Sequence, residues 1–559
     1  MQAYCSKRGM LRRQANDFAG IFLVLLSGLV LTYRLGGRVD IMATDDDVYF
    51  QNGLLATWQH LPPVQMAPLF SGWYVLLNAF THNVIDTYYL SGVVLAVLLG
   101  LLFYLLLRSL RVGVVVSVAL AVAFLFSSLN LPLQPKVSLF TMLWLMAGLT
   151  VANHQTDPIN KLTAAAIGAL LAAYGRPEFF LSFLALGGLG LVLLVIYRRR
   201  RANAPLSWPL PSTLLAAAGL VLAFGSPLAG GRSIIAFGQH FALNYATWHP
   251  EIKASPWMHS ATFIRHGFGR DVTSLADAFW LNPSLFLRHL TTNLTNLALS
   301  TGRYLADMLV TPWLSQLVFP GRRYLLMALT AGFLALTDWP QTGRNLWAGL
   351  RHNGWYWMCL LLMLAPTLVS CLLIFPREHY LVFQMTGYLS LLGVALRDLA
   401  FRPVWHVPVA LRTGLATGFL LLFLWPKWQL ANRTQPTPIA DLLRSLQKLP
   451  VRGAVSMTGN EPLMYDLYLG INWRFWYLER YTPANMQAFM QQYTINCLHI
   501  RPDVVQRYKD DPYFNRLLAH PADLGFVRFN TGKPGQYVLI QNQLTTVAST
   551  SPHRARAVL

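Results

Sequence analysis

The chain has 559 residues, of which 54% are hydrophobic and only 12% are charged, and its mean hydropathy is +0.41. Soluble domains carry about 25% charged residues, so this composition excludes a disordered chain and a disulfide scaffold and disfavours a soluble enzyme. The formal net charge of +21 is typical either of a nucleic-acid-binding protein or of a membrane protein with basic cytoplasmic loops.

Apolar stretches approaching the roughly 20 residues that a membrane-spanning helix needs recur up to residue 425. They predict eleven spans, at 18–35, 87–107, 112–129, 137–152, 162–175, 179–197, 210–225, 322–338, 355–375, 381–397 and 409–425. A twelfth span over 303–319 is the alternative, and it would invert the orientation of everything after it.

The basic residues test this count, because Lys and Arg concentrate in cytoplasmic loops. If the basic N-terminus lies in the cytoplasm, a topology of eleven spans puts many of the basic residues in cytoplasmic loops. These residues are Arg108, Arg111, Lys161, Arg198 to Arg201, Arg344, Arg351, Arg397, Arg402 and Arg412. This agreement favours eleven spans over twelve. Loops 36–86 and 226–321, and the chain after Trp425, then lie on the outer side.

The first outer loop contains three consecutive carboxylates, Asp45, Asp46 and Asp47, followed by Tyr49. Adjacent carboxylates repel one another, which raises at least one pKa or recruits a cation. The cluster therefore suits a general base, a metal site or both. The alternative is a solvated loop whose Asp residues cap the predicted helix 48–58.

Two cations lie near short outer tips in the next part of the chain. Lys136 follows Pro132 and Pro135, and it is a candidate phosphate ligand or only the end of a loop. Arg176 and Glu178 interrupt two apolar segments, and ionisable groups at membrane depth are functional candidates. The alternative for this pair is a turn in which Arg176 and Glu178 neutralise each other.

The long outer loop 226–321 contains five histidines, His240, His249, His259, His266 and His289. Their spacing matches no usual zinc motif, so a metal site is not expected. Leu residues at near-helical spacing over 284–309 predict an amphipathic helix on the membrane surface. We interpret the loop as an interfacial platform that receives a lipid or an acceptor.

A second charged tip, Arg377-Glu378-His379-Tyr380, lies between the ninth and tenth spans. The guanidinium of Arg377 offers a bidentate fork for phosphate. His379 either donates a second hydrogen bond to the phosphate or has no role in binding it. Beyond the last span, the tail has helix-like stretches, such as 439–449, and strand-like stretches, such as 454–457, 497–500, 526–529 and 536–540.

The expected fold class is mainly α: a polytopic transmembrane bundle over 1–428 followed by a small α/β domain over 429–559 on the outer face. The four cysteines form no CxxC pair. No P-loop or Rossmann glycine pattern is present, so no nucleotide cofactor is expected.

Three short motifs resemble those of the GT-C superfamily of integral membrane glycosyltransferases. Asp46-Asp47-Val48-Tyr49 is similar to the acidic element that opens the first outer loop of that family. Arg176-Pro177-Glu178 resembles a turn of bacterial members, including arabinofuranosyltransferase-like ones, and Arg377 with Tyr380 resembles the late outer Arg-Tyr element. The third Asp and the inserted Glu-His of this chain depart from the family pattern.

The resemblance implies an inverting transfer of a sugar from a polyprenyl phosphate to a cell-envelope glycan, lipid or protein, at the periplasmic face of a bacterial inner membrane. Arg377, with Arg176, Lys136 or His379, would hold the donor phosphate. Asp46 would deprotonate the acceptor, and Asp47 would assist it or bind Mg²⁺, Mn²⁺ or Ca²⁺; which of Asp45, Asp46 and Asp47 is the base stays open. Glu178, Tyr380 and Tyr49 would support the site.

Three alternatives come from other classes. A membrane polysaccharide polymerase or ligase also uses outer Arg and His residues on polyprenyl-linked glycans, but the acidic loop and the soluble tail argue against it. A lipid or glycan transporter usually shows internal repeats or broken helices, and we find neither pattern in the sequence. A structural scaffold would not need three adjacent Asp residues.

Overall fold

The computed structural model describes residues 2–42, 45–57, 59–131, 133–200, 209–229, 232–257, 259–309, 337–400, 428–429, 436–449, 451, 453–460, 465–470, 472–531 and 535–544, with backbone alone for 2–13, 45, 198–200, 209 and 232–233. The chain divides into two compact units. The first comprises Met1–Leu35, Leu55–Tyr74 and Leu90–Arg433, and the second comprises Gly36–Leu54, Val75–Tyr89 and Thr434–Leu559.

The part of the chain before residue 400 is mainly helical. Its helices are α1 (Gln2–Thr32), α2 (Asp45–Leu54), α3 (Pro68–Thr81), α4 (Val84–Ser109), α5 (Val114–Leu125), α6 (Val137–His154), α7 (Pro158–Ala173), α8 (Phe179–Arg200), α9 (Pro209–Phe224), α10 (Arg232–Trp248), α11 (Ser260–Phe268), α12 (Leu275–Leu281), α13 (Pro283–Leu309), α14 (Trp339–His352), α15 (Gly354–Leu373) and α16 (Glu378–Arg397).

Six helical stretches in the described residues are long and apolar enough to cross a membrane. They are Gln14–Gly37, Val84–Ser109, Val137–His154, Phe179–Tyr197, Gly354–Leu373 and Glu378–Arg397. Three further predicted spans correspond to shorter apolar helices, Val114–Leu125, Pro158–Ala173 and Leu210–Phe224. The span predicted at 409–425, all but the last two residues of the one at 322–338, and most of the alternative at 303–319 lie outside the described residues.

Local backbone features set the ends of two of these helices. Asp157 accepts hydrogen bonds from the amides of Ile159 and Asn160, with Pro158 in the first turn, so α7 begins at a well-formed N-terminus. Gly113 precedes α5, and α5 ends before Ser127, whose hydroxyl donates to the Phe124 carbonyl at 2.7 Å. A hydropathy average does not detect helix ends of this kind.

Helices α6 and α7 cross with their backbones in close approach at Gly148 and Gly168. A Cβ added at either glycine would lie 2.8 Å from the Cα of the other. Small residues that let two helices approach closely are a common device in membrane bundles. The close contact holds α6 against α7. Lys136 is the N-cap residue of α6.

The tail contains a five-stranded mixed sheet. Its strands are β1 (Val455–Gly459), β2 (Trp473–Tyr477), β3 (Cys497–Ile500), β4 (Phe526–Asn530) and β5 (Tyr537–Gln541), in the order β2-β1-β3-β5-β4. β1 is parallel to β2 and to β3, whereas β5 is antiparallel to β3 and β4. The small α/β fold and four of these strands confirm the sequence prediction, but the edge strand β2 was not predicted.

Helices flank this sheet: α17 (Pro438–Gln447), α18 (Tyr465–Leu469), α19 (Leu478–Tyr481), α20 (Met486–Gln492), α21 (Pro502–Arg507) and α22 (Pro512–Ala519). Apolar residues of α20 and α22, such as Phe489, Phe514 and Leu517, pack against Leu498 and Leu539 of the sheet. The second unit thus has its own hydrophobic core.

Candidate functional site

The turn between α15 and α16 positions Arg377. Pro376 has no backbone N–H, so the helix before it cannot continue through this position. Arg377 then takes the extended conformation of a helix N-cap, with φ −78° and ψ 156°. Its carbonyl accepts hydrogen bonds from the amides of Tyr380 and Leu381, at 2.9 and 3.1 Å. The side chain of Arg377 therefore extends from the start of α16.

The guanidinium of Arg377 lies beside two aromatic rings of the long loop. Its Nη1 donates to Nε2 of His240 at 3.4 Å, and its Cζ lies 5.2 Å from the ring centre of Trp257. The two rings contact each other edge to face, with centroids 5.4 Å apart. Cation–π attraction and one weak hydrogen bond hold Arg377 while leaving its charge in place.

His240 is uncharged in this arrangement. Its Nδ1 donates to the Ala236 carbonyl at 2.6 Å, which leaves Nε2 as the acceptor for Arg377. The pKa of His240 is lowered to about 4, mainly by burial; the hydrogen bond to Ala236 opposes this shift and the charge of Arg377 adds to it. A neutral imidazole orients the guanidinium without adding a competing cation.

Arg176 is held by Glu178 and by the ring of Tyr380. Its Nε donates to the Glu178 carboxylate at 2.7 Å, and both side chains are mostly buried. Its Cζ lies 4.7 Å from the Tyr380 ring centre. This ion pair matches the alternative interpretation, a turn in which Arg176 and Glu178 neutralise each other. The contact with Tyr380 connects this turn to α16.

Lys136 lies at the start of α6, close to the start of α16. Its ammonium is 3.9 Å from a carboxylate oxygen of Glu378, and the Tyr304 hydroxyl donates to the other oxygen at 3.0 Å. Lys136 and Arg377 are the N-cap residues of α6 and α16, and neither makes a side-chain capping bond. Helix N-termini carry partial positive charge, so both cations add to a positive region.

His379, in the first turn of α16, lies within electrostatic range of Arg176, Arg377, Lys136 and His240. Four residues predicted to bind the donor phosphate, Arg377, Arg176, Lys136 and His379, thus come together in the first unit from three separate tips of the chain. Their role stays a prediction. We call Arg377, Arg176, Lys136 and His379 the cation cluster.

A buried amide–imidazole network supports the turn that carries Arg377. His289 accepts from the Asn244 amide at Nδ1, at 3.0 Å, and its Nε2 contacts the Leu373 carbonyl at 3.3 Å. The Asn293 amide donates to the carbonyls of Leu372 and Ile374, at 2.8 and 3.1 Å. The network satisfies backbone carbonyls at the end of α15, where a helix leaves them without internal partners.

The acidic triplet lies in the second unit, where Asp45, Asp46 and Asp47 form the first turn of α2. Asp47 is 2% exposed, and one of its oxygens accepts from the Tyr468 hydroxyl at 2.8 Å. Tyr49 is also buried, whereas Asp46 is partly exposed. Carboxylates in a first turn are favourable, so the helix-start interpretation accounts for part of this cluster.

The structure distinguishes the carboxylates by environment. Asp47 is buried against the tail domain, Asp46 is the member of the pair with solvent access, and the Asp45 side chain lies outside the described residues. A general base has to reach an acceptor hydroxyl, so Asp46 fits that role better than Asp47. Within the described residues no group of three or more His, Cys, Asp or Glu side chains is arranged to hold a metal ion.

Asp40, in the same loop, caps a helix of the tail. Its carboxylate accepts from the amides of Ile439 and Ala440 at the start of α17, at distances of 2.9 to 3.1 Å. The Gln51 side chain also donates to Asp466. Loop segment 36–54 is therefore part of the tail's fold, although the sequence assigned it to the membrane domain.

Sequence reasoning gave no role to His240 or Trp257, which hold Arg377. His240 is one of five histidines in the loop, and no motif separates it from the others. On α10, His240 lies three residues after Phe237 and directly before Phe241. This position indicates that its ring is buried on the apolar face of the helix. The partner of that ring depends on tertiary structure.

Comparison with protein-family models and with curated proteins found no match to this chain.

Proposed function

We propose that the protein is an inverting glycosyltransferase of the GT-C type that takes a sugar from a polyprenyl phosphate donor. The observation that carries this proposal is the cation cluster at one end of the candidate spans. The proposal includes the finer topology of eleven spans, a bacterial inner membrane and a periplasmic site.

Charge and geometry favour a phosphate as the ligand of the cation cluster. Arg377, Arg176 and Lys136 face two carboxylates, those of Glu178 and Glu378, so the described groups leave one net positive charge. The N-termini of α6 and α16 add partial positive charge and oriented amides. A dianionic leaving phosphate is stabilised by such preorganised donors as its charge develops.

The position of the cation cluster suits a lipid-linked phosphate. Arg377 lies between two candidate spans, Gly354–Leu373 and Glu378–Arg397. An amphiphilic donor places its phosphate at the membrane edge and its hydrocarbon chain in the lipid. A water-soluble nucleotide sugar would not need a phosphate site at that depth.

For the chemical step we assign the acceptor proton to Asp46. The acceptor hydroxyl loses its proton to this carboxylate and attacks the anomeric carbon, the bond from that carbon to the phosphate oxygen breaks, and the configuration inverts. Arg377 stabilises the charge on the departing polyprenyl phosphate. Asp47 keeps the alternative role of a divalent-cation ligand beside Asp46.

The direct experiment is a transfer assay with purified protein and a panel of polyprenyl-phosphate sugars. We expect wild-type protein to transfer sugar from at least one donor, and Asp46→Asn and Arg377→Ala each to lower kcat by about 100-fold or more. Arg270→Ala is the matched control, because Arg270 is exposed and pairs with Asp277. Full activity of both site variants would contradict the assignment.

A polysaccharide polymerase or ligase is the second candidate, favoured by one observation: His240 and His379 lie beside Arg377. Such an enzyme would take a polyprenyl-diphosphate-linked oligosaccharide rather than a single sugar on a monophosphate. Offering both donors in the same assay separates the two functions. Turnover of the oligosaccharide alone would replace the proposed function with this one.

A further inference from the structure

Helix α14 presents a basic, aromatic face that the proposed transfer reaction does not use. Arg344, Trp347 and Arg351 are exposed and lie on one face at helical spacing, and Trp347 is 58% exposed. The Arg351 guanidinium lies 4.9 Å from the Trp347 ring centre. We call Arg344, Trp347 and Arg351 the α14 outer face.

The opposite face of α14 is anchored to the first unit. The amide of Ala400 donates to the Thr342 hydroxyl at 3.0 Å, and the Asn345 side chain donates to the Asp398 carbonyl at 3.2 Å. A Cβ added at Gly349 would collide with the side chains of Arg397 and Asp398. The anchoring holds the α14 outer face in a defined orientation away from the bundle.

The ends of two candidate spans fix the depth of α14. It is anchored where Glu378–Arg397 ends, and it is followed directly by Gly354–Leu373. Arg377 lies at the other end of these two helices, so α14 lies at the opposite edge of the bundle. An amphipathic helix with Trp and Arg at that depth meets the headgroup region of a bilayer.

The charge balance at this edge favours an anionic partner. Its described carboxylates are engaged within the protein: Asp17 with Arg108, Asp398 with Arg397, Asp157 as the cap of α7 and Asp338 as the cap of α14. The cations on the same edge include Arg344, Arg351 and Lys161, and Lys161 lines a small cavity with Trp355. The surface is therefore positively charged and aromatic.

We propose that the α14 outer face binds the headgroups of anionic phospholipids at the membrane edge opposite the cation cluster. Arg344 and Arg351 contact the lipid phosphates, and Trp347 inserts its ring at the level of the headgroups. Each Lys or Arg near an anionic membrane surface contributes about 1 kcal/mol, which corresponds to about a fivefold preference per residue.

The test measures which lipids the full-length protein retains. Detergent-purified protein is equilibrated with phosphatidylglycerol and phosphatidylcholine in equal amounts, and bound lipid is counted by native mass spectrometry. We expect wild-type protein to favour phosphatidylglycerol, and Arg344→Gln with Arg351→Gln to lower that preference about 20-fold or more. Arg265→Gln with Arg270→Gln is the matched control, because both arginines are exposed and ion-paired on another loop.

A second measurement does not depend on these variants. A spin label at Ala348→Cys, in a Cys5→Ser background, is reconstituted in phosphatidylglycerol-containing nanodiscs, with Gln506→Cys in the tail as the reference. Both replaced positions, Ala348 and Gln506, are exposed. We expect dioxygen to relax the label at 348 more than a soluble nickel complex does. Equal retention of both lipids by wild-type protein, or a label at 348 as accessible to nickel as the one at 506, would overturn the proposal.

Discussion

At the scale of single residues, His240 and His289 make stability depend on pH. Burial lowers the pKa of each ring from 6.5 to about 4. Below pH 6.5 the unfolded chain takes up protons that the folded protein does not, so the stabilisation is complete above that pH and is lost as pH falls towards 4. His240 contacts Arg377 and His289 contacts the Leu373 carbonyl, so both rings lie beside the segment that leads to the Arg377 turn.

We expect the Tm of the purified protein to fall as pH decreases from 6.5 to about 4. His289→Gln removes one of the two buried rings and should make that decrease shallower, while lowering the Tm at neutral pH because the Leu373 carbonyl loses a contact. His154→Gln is the control, because His154 is exposed. An equal pH dependence in wild type and His289→Gln would contradict this account.

The hydrogen bond from Tyr468 to Asp47 is a second test at this scale. Tyr468→Phe leaves a buried carboxylate without one of its donors, and we expect the free energy of unfolding to decrease by about 1–3 kcal/mol. Tyr481→Phe is the matched control, because the Tyr481 ring packs against Trp476 in the same unit. Chemical denaturation followed by circular dichroism measures both, and equal effects would show that Asp47 does not depend on Tyr468.

At the scale of elements, the crossing of α6 and α7 gives the sharpest prediction. Gly168→Ala places a methyl group against the Gly148 backbone. We expect it to lower the Tm by several degrees, as overpacking costs about 1–3 kcal/mol. Gly188→Ala on α8 has open space around the new methyl group and should leave stability unchanged or raise it by about 0.5–1 kcal/mol. Similar effects of the two substitutions would contradict the observed crossing.

Hydropathy predicted the elements better than it predicted their ends. Each predicted span within the described residues contains a helix, because apolar runs of this length have few alternatives. The Asp157 cap starts α7 at Pro158, four residues before the predicted span, whereas α5, at Val114–Leu125, is shorter than its predicted span. An apolar average detects neither end. The edge strand β2 was missed because Arg474 interrupts its aromatic run and only Trp473 is buried.

At the scale of the whole molecule, the sequence predicted several members of the site but not their arrangement. Lys136, Arg176 and Arg377 were singled out because each is a cation near a tip between apolar runs, and the alternating topology placed the three tips on one face. The rings of His240 and Trp257 could not be predicted, because the fold of the long loop decides which side chains reach Arg377. Nor could the sequence foresee that loop segment 36–54 folds with the tail, since Asp40 and Ile439 are about 400 residues apart.

The central claim is that the cation cluster binds the phosphate of a polyprenyl lipid, and differential stabilisation of the purified protein tests it most directly. Polyprenyl phosphate and the matching polyprenol are compared by their effect on the Tm of wild type and Arg377→Ala. Because a ligand stabilises the state it binds, the account predicts that the phosphate raises the wild-type Tm, that polyprenol does so much less, and that Arg377→Ala removes most of the difference. Equal shifts with polyprenol and polyprenyl phosphate, or an unchanged difference in Arg377→Ala, would contradict it.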